Sequence, residues 1–249
     1  IQIESEESYQ ATEAALLEER EVADLREQFI AVLGHDLRNP LFAITAGAQL
    51  LLRKPRGDKA RTITEHILAS GRRATQLVED VLDFARGRLG AGISINPQPC
   101  PDLAQALMHV VDEVQRVHPQ RQIQLRIGNL QDVVCDRERI GQLLSNLVSN
   151  AINHGESEGA VTVTANVSDG VFSLSVHNLG EPIAPQVLGQ LFRPFSRPVA
   201  GKSRVGLGLG LYIADQIARA HGGYMDVLST AAAGTLFTFR LPLAAVNPA

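Results

Sequence analysis

A heptad spacing of apolar residues is the feature that most constrains the fold of this chain. From about Ser8 to Leu89 almost every residue is a helix former, and one turn-like stretch at 54–58 divides the segment into two arms. On the second arm, apolar or small residues alternate spacings of four and three, as the a and d positions of a heptad do. They are Ile63, Ile67, Ser70, Ala74, Leu77, Val81 and Phe84. The pattern predicts a helical hairpin whose seam requires a partner.

The first arm carries a comparable apolar stripe, so the hairpin has two stripes to bury. Its members are Ile30, Leu33, Leu37, Leu41, Ile44, Ala48 and Leu51. Two helices alone cover both stripes poorly, whereas two hairpins can pack as a four-helix bundle around a shared apolar centre. The sequence therefore predicts a homodimer.

Beyond the hairpin the periodicity of the apolar residues changes. Glycines and prolines cluster between 90 and 101, as is typical of a domain boundary. Further on, pairs of segments alternate apolar and polar residues, which predicts strands. They are 160–167 with 171–177, and 224–228 with 235–241. Asp169-Gly170 between the first two predicts a tight hairpin. Amphipathic segments at 103–117, 136–154 and 209–221 are predicted helices, and together these elements predict a two-layer α/β sandwich.

Composition argues against several classes of function. The chain has 249 residues without a run of eighteen apolar ones, so we expect no membrane span in this segment and a cytoplasmic location. A net charge of -4, three Tyr and no Trp argue against nucleic-acid binding. Cys100 and Cys135 are too few for a disulfide framework and lack the spacing of a zinc site, so we interpret both as structural thiols.

The first chemical motif is His35-Asp36 within the first arm. Successive helical residues turn by about 100°, which places His35 away from the stripe that contains Leu33 and Leu37. An outward-facing imidazole is a competent nucleophile if a neighbouring group accepts its second proton, and Asp36 can do so. Asn39 follows one turn later, where its amide can orient a water or a phosphoryl group. In isolation the pair is more typical of the solvated face of a coiled coil.

The second motif is a row of uncharged polar groups on the helix predicted at 136–154. Asn146, Asn150 and His154 recur at intervals of four and share one face. A solvated face normally carries Lys and Glu, whereas carboxamide oxygens suit a hard cation such as magnesium. The row favours a metal–nucleotide role, although a polar stripe by itself is ordinary.

Two glycine-containing segments complete the set. Gly206, Gly208 and Gly210 lead into the helix predicted at 209–221, and a helix start offers unpaired amides to phosphate. The preceding basic loop, with Lys202 and Arg204, is typical of a lid over polyphosphate, but also of an ordinary solvated loop. Asn178 and Gly180 follow a predicted strand, where a side chain can reach a base edge. Alone, that segment is a turn.

Together and in this order, these elements resemble the histidine kinase family. The corresponding boxes are a histidine box at His35, an N box at 146–154, a G1 box at 178–183, an F box at Phe192 and Phe195, and a G2 box at 206–210. The segment 29–41 looks most like kinases attached to PAS-type or phytochrome-type sensors. The resemblance implies a coiled-coil signalling linker (1–28), a dimerisation and phosphoacceptor domain (29–92) and a Bergerat-fold ATP-binding domain (93–249).

The resemblance also implies site residues, cofactors and partners. His35 would be phosphorylated, Asp36 would be its acid/base partner, and Asn39 would serve in dephosphorylating the partner. Asn150 would be the magnesium ligand. The residues implied to bind ATP are Asn146, Asn150, Asn153, His154, Asn178, Gly180, Ile183, Phe195, Lys202, Arg204, Gly206, Leu207, Gly208, Leu209 and Gly210. The implied cofactors are ATP and Mg²⁺, and the implied partners are a second copy, a response regulator receiver domain and an upstream sensor domain.

Some residues depart from the family pattern. Asn178 stands where an aspartate commonly accepts a hydrogen bond from adenine, so the bond would be uncharged and weaker. Pro182 replaces a glycine of the G1 box, and Asn153 replaces a frequent Lys or Arg. These departures leave alternatives open: a regulatory scaffold that has lost kinase activity, or an ATPase of the same fold without phosphotransfer.

Overall fold

The structure of the chain is a computed structural model that describes residues 36–53, 57–88, 92–196 and 207–243. The chain divides between Val78 and Glu79 into two compact units. The first is helical, and the second contains the sheets. Within the described ranges, no helix combines the length and the apolarity that crossing a membrane requires.

The helical unit is built from α1, which is helical over residues 36–52, and from α2 (Asp58–Arg88) as far as Val78. Gly57, with φ of +62°, ends the turn before α2, and Asp58 places an acid in the first turn of that helix. At Gly47 the helices approach closely, because a Cβ there would lie 2.7 Å from Ile67 Cγ1. The prediction of a helical hairpin is confirmed for the described residues.

The second unit is organised around a five-stranded mixed sheet in the order β2-β4-β5-β7-β6. The strands are β2 (Ile123–Ile127), β4 (Val161–Ser168), β5 (Val171–Asn178), β6 (Tyr224–Thr230) and β7 (Gly234–Pro242). β2 runs parallel to β4, and the other pairs are antiparallel. Asp169 and Gly170, with φ of +52° and +72°, form the tight turn between β4 and β5 that the sequence predicts.

Three long helices pack on one face of this sheet. They are α3 (Leu103–Val117), α4 (Arg137–His154) and α6 (Gly210–Ala220), with a short α5 (Pro185–Leu188) between β5 and α6. α4 contacts both α3 and α6 and lies between them. Its apolar face is fully buried against β4 and β5, whose alternate residues such as Val163 and Leu174 are also buried. The predicted two-layer sandwich is confirmed.

Several short elements are absent from the sequence prediction. β1 (Gln98–Pro99) pairs antiparallel with β3 (Val134–Cys135), and β2 and α5 are also new. Cys135 belongs to this small ladder and Cys100 directly follows β1, and both are buried free thiols. Burial raises the pKa of the Cys135 thiol strongly, which keeps it protonated and unreactive at neutral pH. This agrees with a structural role for both cysteines.

Candidate functional site

The helix α4 is fixed at its start by a dense set of hydrogen bonds. Asp136 is the N-cap, and its carboxylate accepts from the backbone N–H of Arg139 at 3.1 Å and of Asn96 at 2.9 Å. Burial alone would raise the pKa of Asp136, but these hydrogen bonds lower it overall. The backbone N–H of Asp136 donates to His221 Nε2 at 3.0 Å, just beyond the end of α6. The starting point of α4 is therefore tied to the helix that packs beside it.

The polar row of α4 is oriented toward the start of α6. A Cβ built at Gly210, the first residue of α6, would lie 3.5 Å from Asn146 Oδ1. Asn146 Nδ2 is buried and has no hydrogen-bond partner among the described residues. A buried donor without a partner is costly, so it indicates a place for a ligand acceptor. Gly210 and Leu211, the first residues of α6, lie at the same place, and their amides have no acceptor within the helix.

The end of α4 meets the segment that follows β5. The backbone N–H of Glu156 donates to Leu179 O at 2.8 Å, and a Cβ at Gly180 would lie 3.2 Å from His154 O. Gly155 is close to Asn178, since a Cβ there would lie 3.1 Å from Asn178 Nδ2. The structure thus brings the predicted N and G1 boxes together at one end of the sheet.

Asn178 is buried at the carboxyl end of β5, and its Nδ2 donates to Leu179 O at 3.2 Å. In the β5–β7 ladder it stands opposite Thr235, a buried hydroxyl. Thr235 Oγ1 is 2.7 Å from Ser229 Oγ, which accepts from the backbone N–H of Ile183 at 2.9 Å. Sequence reasoning missed Ser229 and Thr235, because only the pairing of distant strands reveals that they support the G1 box.

The G2 and F boxes meet through a backbone hydrogen bond. The N–H of Phe195 donates to Gly208 O at 3.1 Å. Phe195 has φ of +59°, which is unusual for a residue with a side chain, and Gly208 has φ of +70°. A Cβ at Gly208 would lie 3.2 Å from Phe195 Cα, so glycine is required by both conformation and space. Leu207 and Leu209 on either side are buried and anchor this junction in the core.

The remaining candidates differ in burial, and some of them lie outside the described ranges. Asn150 is partly buried on α4, whereas Asn153 and His154 are exposed near its end. Desolvation by the protein nevertheless lowers the pKa of His154 and favours a neutral imidazole. Asp36 is buried and Asn39 is exposed at the start of the described part of α1. His35, Lys202, Arg204 and Gly206 lie outside the described residues, so their predicted roles stay predictions.

These residues fit a polyphosphate nucleotide with a magnesium ion. Asn146 Nδ2 and the first amides of α6 are donors at one place, which suits a phosphate group, and the carboxamide oxygens of α4 suit a hard cation. Within the described residues no group of three or more His, Cys, Asp or Glu could hold a metal. A metal at this place would accordingly be held by amide oxygen together with phosphate oxygens.

Comparison with known families gives two matches that follow each other along the chain. Residues 25–90 match the His Kinase A (phospho-acceptor) domain. Residues 135–245 match the family described as histidine kinase-, DNA gyrase B-, and HSP90-like ATPase. The first match includes His35, and the second includes the polar row of α4, the segment after β5 and the start of α6.

Individual relatives agree with these two domain matches. A bacteriophytochrome of Pseudomonas aeruginosa is 38% identical over 209 residues, which cover 83% of this chain and 28% of that protein. The histidine protein kinase DivJ of Caulobacter vibrioides is 33% identical over 242 residues, which cover 94% of this chain and 40% of that protein. The crystal structure of full-length ShkA in complex with AMPPNP is 29% identical with a TM-score of 0.62, covering 88% of this chain and 46% of that one.

The chain spans less than half the length of each of these relatives. What it does contain is a phospho-acceptor domain followed by a domain of the histidine kinase-like ATPase fold, in the order found in such kinases. This chain therefore belongs to the sensor histidine kinase family.

Proposed function

We propose that this chain binds ATP beside α4, transfers the γ-phosphoryl group to His35, and passes it on to an aspartate of a response regulator receiver domain. The observation that carries the nucleotide part is the buried, unpartnered Nδ2 of Asn146 beside the start of α6. The acceptor part is supported by the match of the phospho-acceptor domain to residues 25–90, which include His35. The AMPPNP bound to full-length ShkA supports a nucleotide ligand for the same fold.

Each part of the site has a task in this proposal. Asn178 Nδ2 already donates to Leu179 O, so its Oδ1 is the atom that remains to accept from the adenine amine. Asn146 Nδ2 and the first amides of α6 would donate to phosphate oxygens. Lys202 and Arg204 would neutralise phosphate charge from the lid. Asn153, His154, Gly180 and Ile183 would shape the adenine side of the site.

Magnesium would be held by Asn150 together with phosphate oxygens. When bound, the ion supplies positive charge that balances the charge on the transferring phosphoryl group. The protein contributes positioning and fixed dipoles, which account for most catalysis in phosphoryl transfer. His35 supplies the nucleophilic nitrogen, and Asp36 accepts the proton from the other ring nitrogen so that the imidazole does not accumulate charge. Asn39 would orient the water that dephosphorylates the partner.

We further propose that the chain forms a homodimer. We also propose that it consists of a coiled-coil signalling linker (1–28), a dimerisation and phosphoacceptor domain (29–92) and an ATP-binding domain (93–249). On the helical unit Phe42 is 74% exposed and Leu52 is 81% exposed, although both are apolar. Such apolar surface on a helical hairpin supports burial against a second copy in a four-helix bundle. The names bacteriophytochrome and sensor protein TorS among its relatives support an upstream sensor domain. Sedimentation equilibrium of the chain should give twice its mass of 26.9 kDa, and a monomer would contradict the dimer.

The proposal is tested by incubating the chain with labelled ATP and magnesium, with His35→Gln and Asn150→Ala as variants. The parent should become labelled, whereas His35→Gln should bind nucleotide normally and remain unlabelled. Asn150→Ala should lose both the magnesium dependence and most of the label. Equal label on the parent and on His35→Gln would rule out His35 as the acceptor. Phosphate release without a labelled protein would support the ATPase alternative, which no observation on the described residues favours.

A further inference from the structure

The last part of α2, from Glu79 onward, belongs to the same compact unit as the sheet. In this part Asp83 is 4% exposed and Phe84 is 7% exposed, while the preceding Leu82 is 49% exposed. A charged residue with so little exposure requires partners, and an apolar neighbour at an exposed position shows that only one face of the helix is covered. The buried pair therefore marks a specific contact surface.

The carboxylate of Asp83 is bound to α4. Its Oδ2 accepts from Arg139 Nη1 at 2.8 Å and from Gln142 Nε2 at 2.8 Å. Arg139 Nη1 also donates to Gln142 Oε1 at 2.7 Å, which closes a three-membered network. Gln142, Asn146 and Asn150 are spaced by four, so they form one continuous row on α4. Asp83 consequently attaches the end of α2 to the polar row that faces the proposed phosphates.

The ring of Phe84 is bound to the junction of the F and G2 boxes. It lies 5.2 Å from the ring of Phe195 and 5.8 Å from that of Tyr212, edge-on to both. Phe195 has positive φ and donates to Gly208 O, and Tyr212 is in the first turn of α6. Phe84 thus contacts Phe195 and the first turn of α6. A residue with positive φ persists only where its surroundings hold it.

We propose that Asp83 and Phe84 are positioning residues for the nucleotide site. In this role they act through the neighbouring residues that they hold in place. Asp83 fixes the row of α4 through Arg139 and Gln142, and Phe84 fixes the conformation of Phe195 and the position of Tyr212 at the start of α6. The inference rests on the proposed nucleotide function, and it adds that the end of the phospho-acceptor hairpin helps to form the ATP site.

The test compares nucleotide affinity in matched variants of the full chain by calorimetry with AMPPNP and magnesium. Phe84→Ala and Asp83→Asn should each weaken binding about three- to tenfold, the range expected for one aromatic pair or one charge-assisted hydrogen bond. Phe84→Leu should fall between the parent and Phe84→Ala. Leu82→Ala and Glu79→Gln serve as controls, because these neighbouring side chains are exposed, and their affinity should stay within twofold of the parent.

A second readout separates positioning from general destabilisation. In autophosphorylation assays the two variants should raise the KM for ATP, while the rate at saturating ATP changes less, because bound nucleotide restores the site. Asp83→Asn is isosteric, so it keeps the test decisive where Phe84→Ala reduces the folded fraction. If the parent binds AMPPNP and both variants bind it equally well, the positioning role is wrong and the proposed function stands. If the parent itself fails to bind, the proposed function falls, and this inference falls with it.

Discussion

At Asn146 the stability of the ligand-free protein and the affinity for nucleotide favour different side chains. Its buried Nδ2 lacks a partner among the described residues, so it does not stabilise the ligand-free protein. Asn146→Ala should therefore leave the free energy of unfolding nearly unchanged or raise it, while nucleotide affinity falls about tenfold, the equivalent of one lost hydrogen bond. Denaturant unfolding and calorimetry measure the two effects, with Ser145→Ala as a control on the same helix. A loss of stability without a loss of affinity would contradict the assigned role.

Gly208 allows a test of the junction between the F and G2 boxes. With φ of +70° and little room beside Phe195, it cannot accept a side chain without strain. Gly208→Ala should lower the free energy of unfolding by about 1–2 kcal/mol and weaken nucleotide binding as well. Gly189→Ala is the matched control, because Gly189 has φ of -69° and open space around its Cα. Equal stability of the two variants would show that the junction is not strained.

His154 gives the stability of the folded chain a pH dependence of known sign. Desolvation lowers its pKa in the folded protein below the ordinary value of 6.5, so the unfolded chain takes up a proton more readily. The contribution of this residue to stability is present above that value and is lost as the pH falls below it. A denaturation series between pH 8 and pH 5 should show the decline, and His154→Gln should flatten it. An unchanged slope in the variant would contradict this assignment.

The helix α4 is the element on which the site depends most, and its N-cap is testable. Asp136→Ala should lower the free energy of unfolding by about 1 kcal/mol or somewhat more, because the carboxylate caps α4 and also binds Asn96. Asp136→Asn should retain most of the cap. Because the pKa of Asp136 is lowered overall, its charge contributes above its ordinary pKa of 3.8 and is lost as the pH falls through the folded value. Urea unfolding at pH 7 and pH 3 checks both statements.

At the scale of elements, the sequence predicted those helices and turns that depend on interactions between residues close together in the chain. The helix predicted at 103–117 is α3 with the same bounds, and Asp169-Gly170 predicted the turn between β4 and β5. β2 escaped prediction, because a five-residue edge strand is stabilised by its parallel pairing with β4, far along the sequence. The heptad pattern predicted Phe84 as a position in the bundle seam, whereas its ring packs on Phe195 and Tyr212. Periodicity identifies an apolar face but not the surface that buries it.

At the scale of the whole molecule, the site combines residues from segments that are distant in the sequence. The row Asn146, Asn150 and His154 could be identified from spacing, because one helix carries it. Its proximity to Asn178 and to Gly210 could only be expected from the family resemblance, since strand order and helix packing create it. Ser229, Thr235 and Asp83 have no local signal at all. Their contribution follows from tertiary contacts that the sequence does not display.

The proposed phosphotransfer to His35 is tested most directly by mass spectrometric mapping of an acid-labile phosphate on the chain after incubation with ATP and magnesium. We expect one modified peptide, which contains His35 and carries a phosphate that is stable in base and lost in acid. The same peptide from His35→Gln should carry no phosphate. A phosphate on another residue, or no phosphate on a chain that binds AMPPNP, would contradict the proposed phosphotransfer.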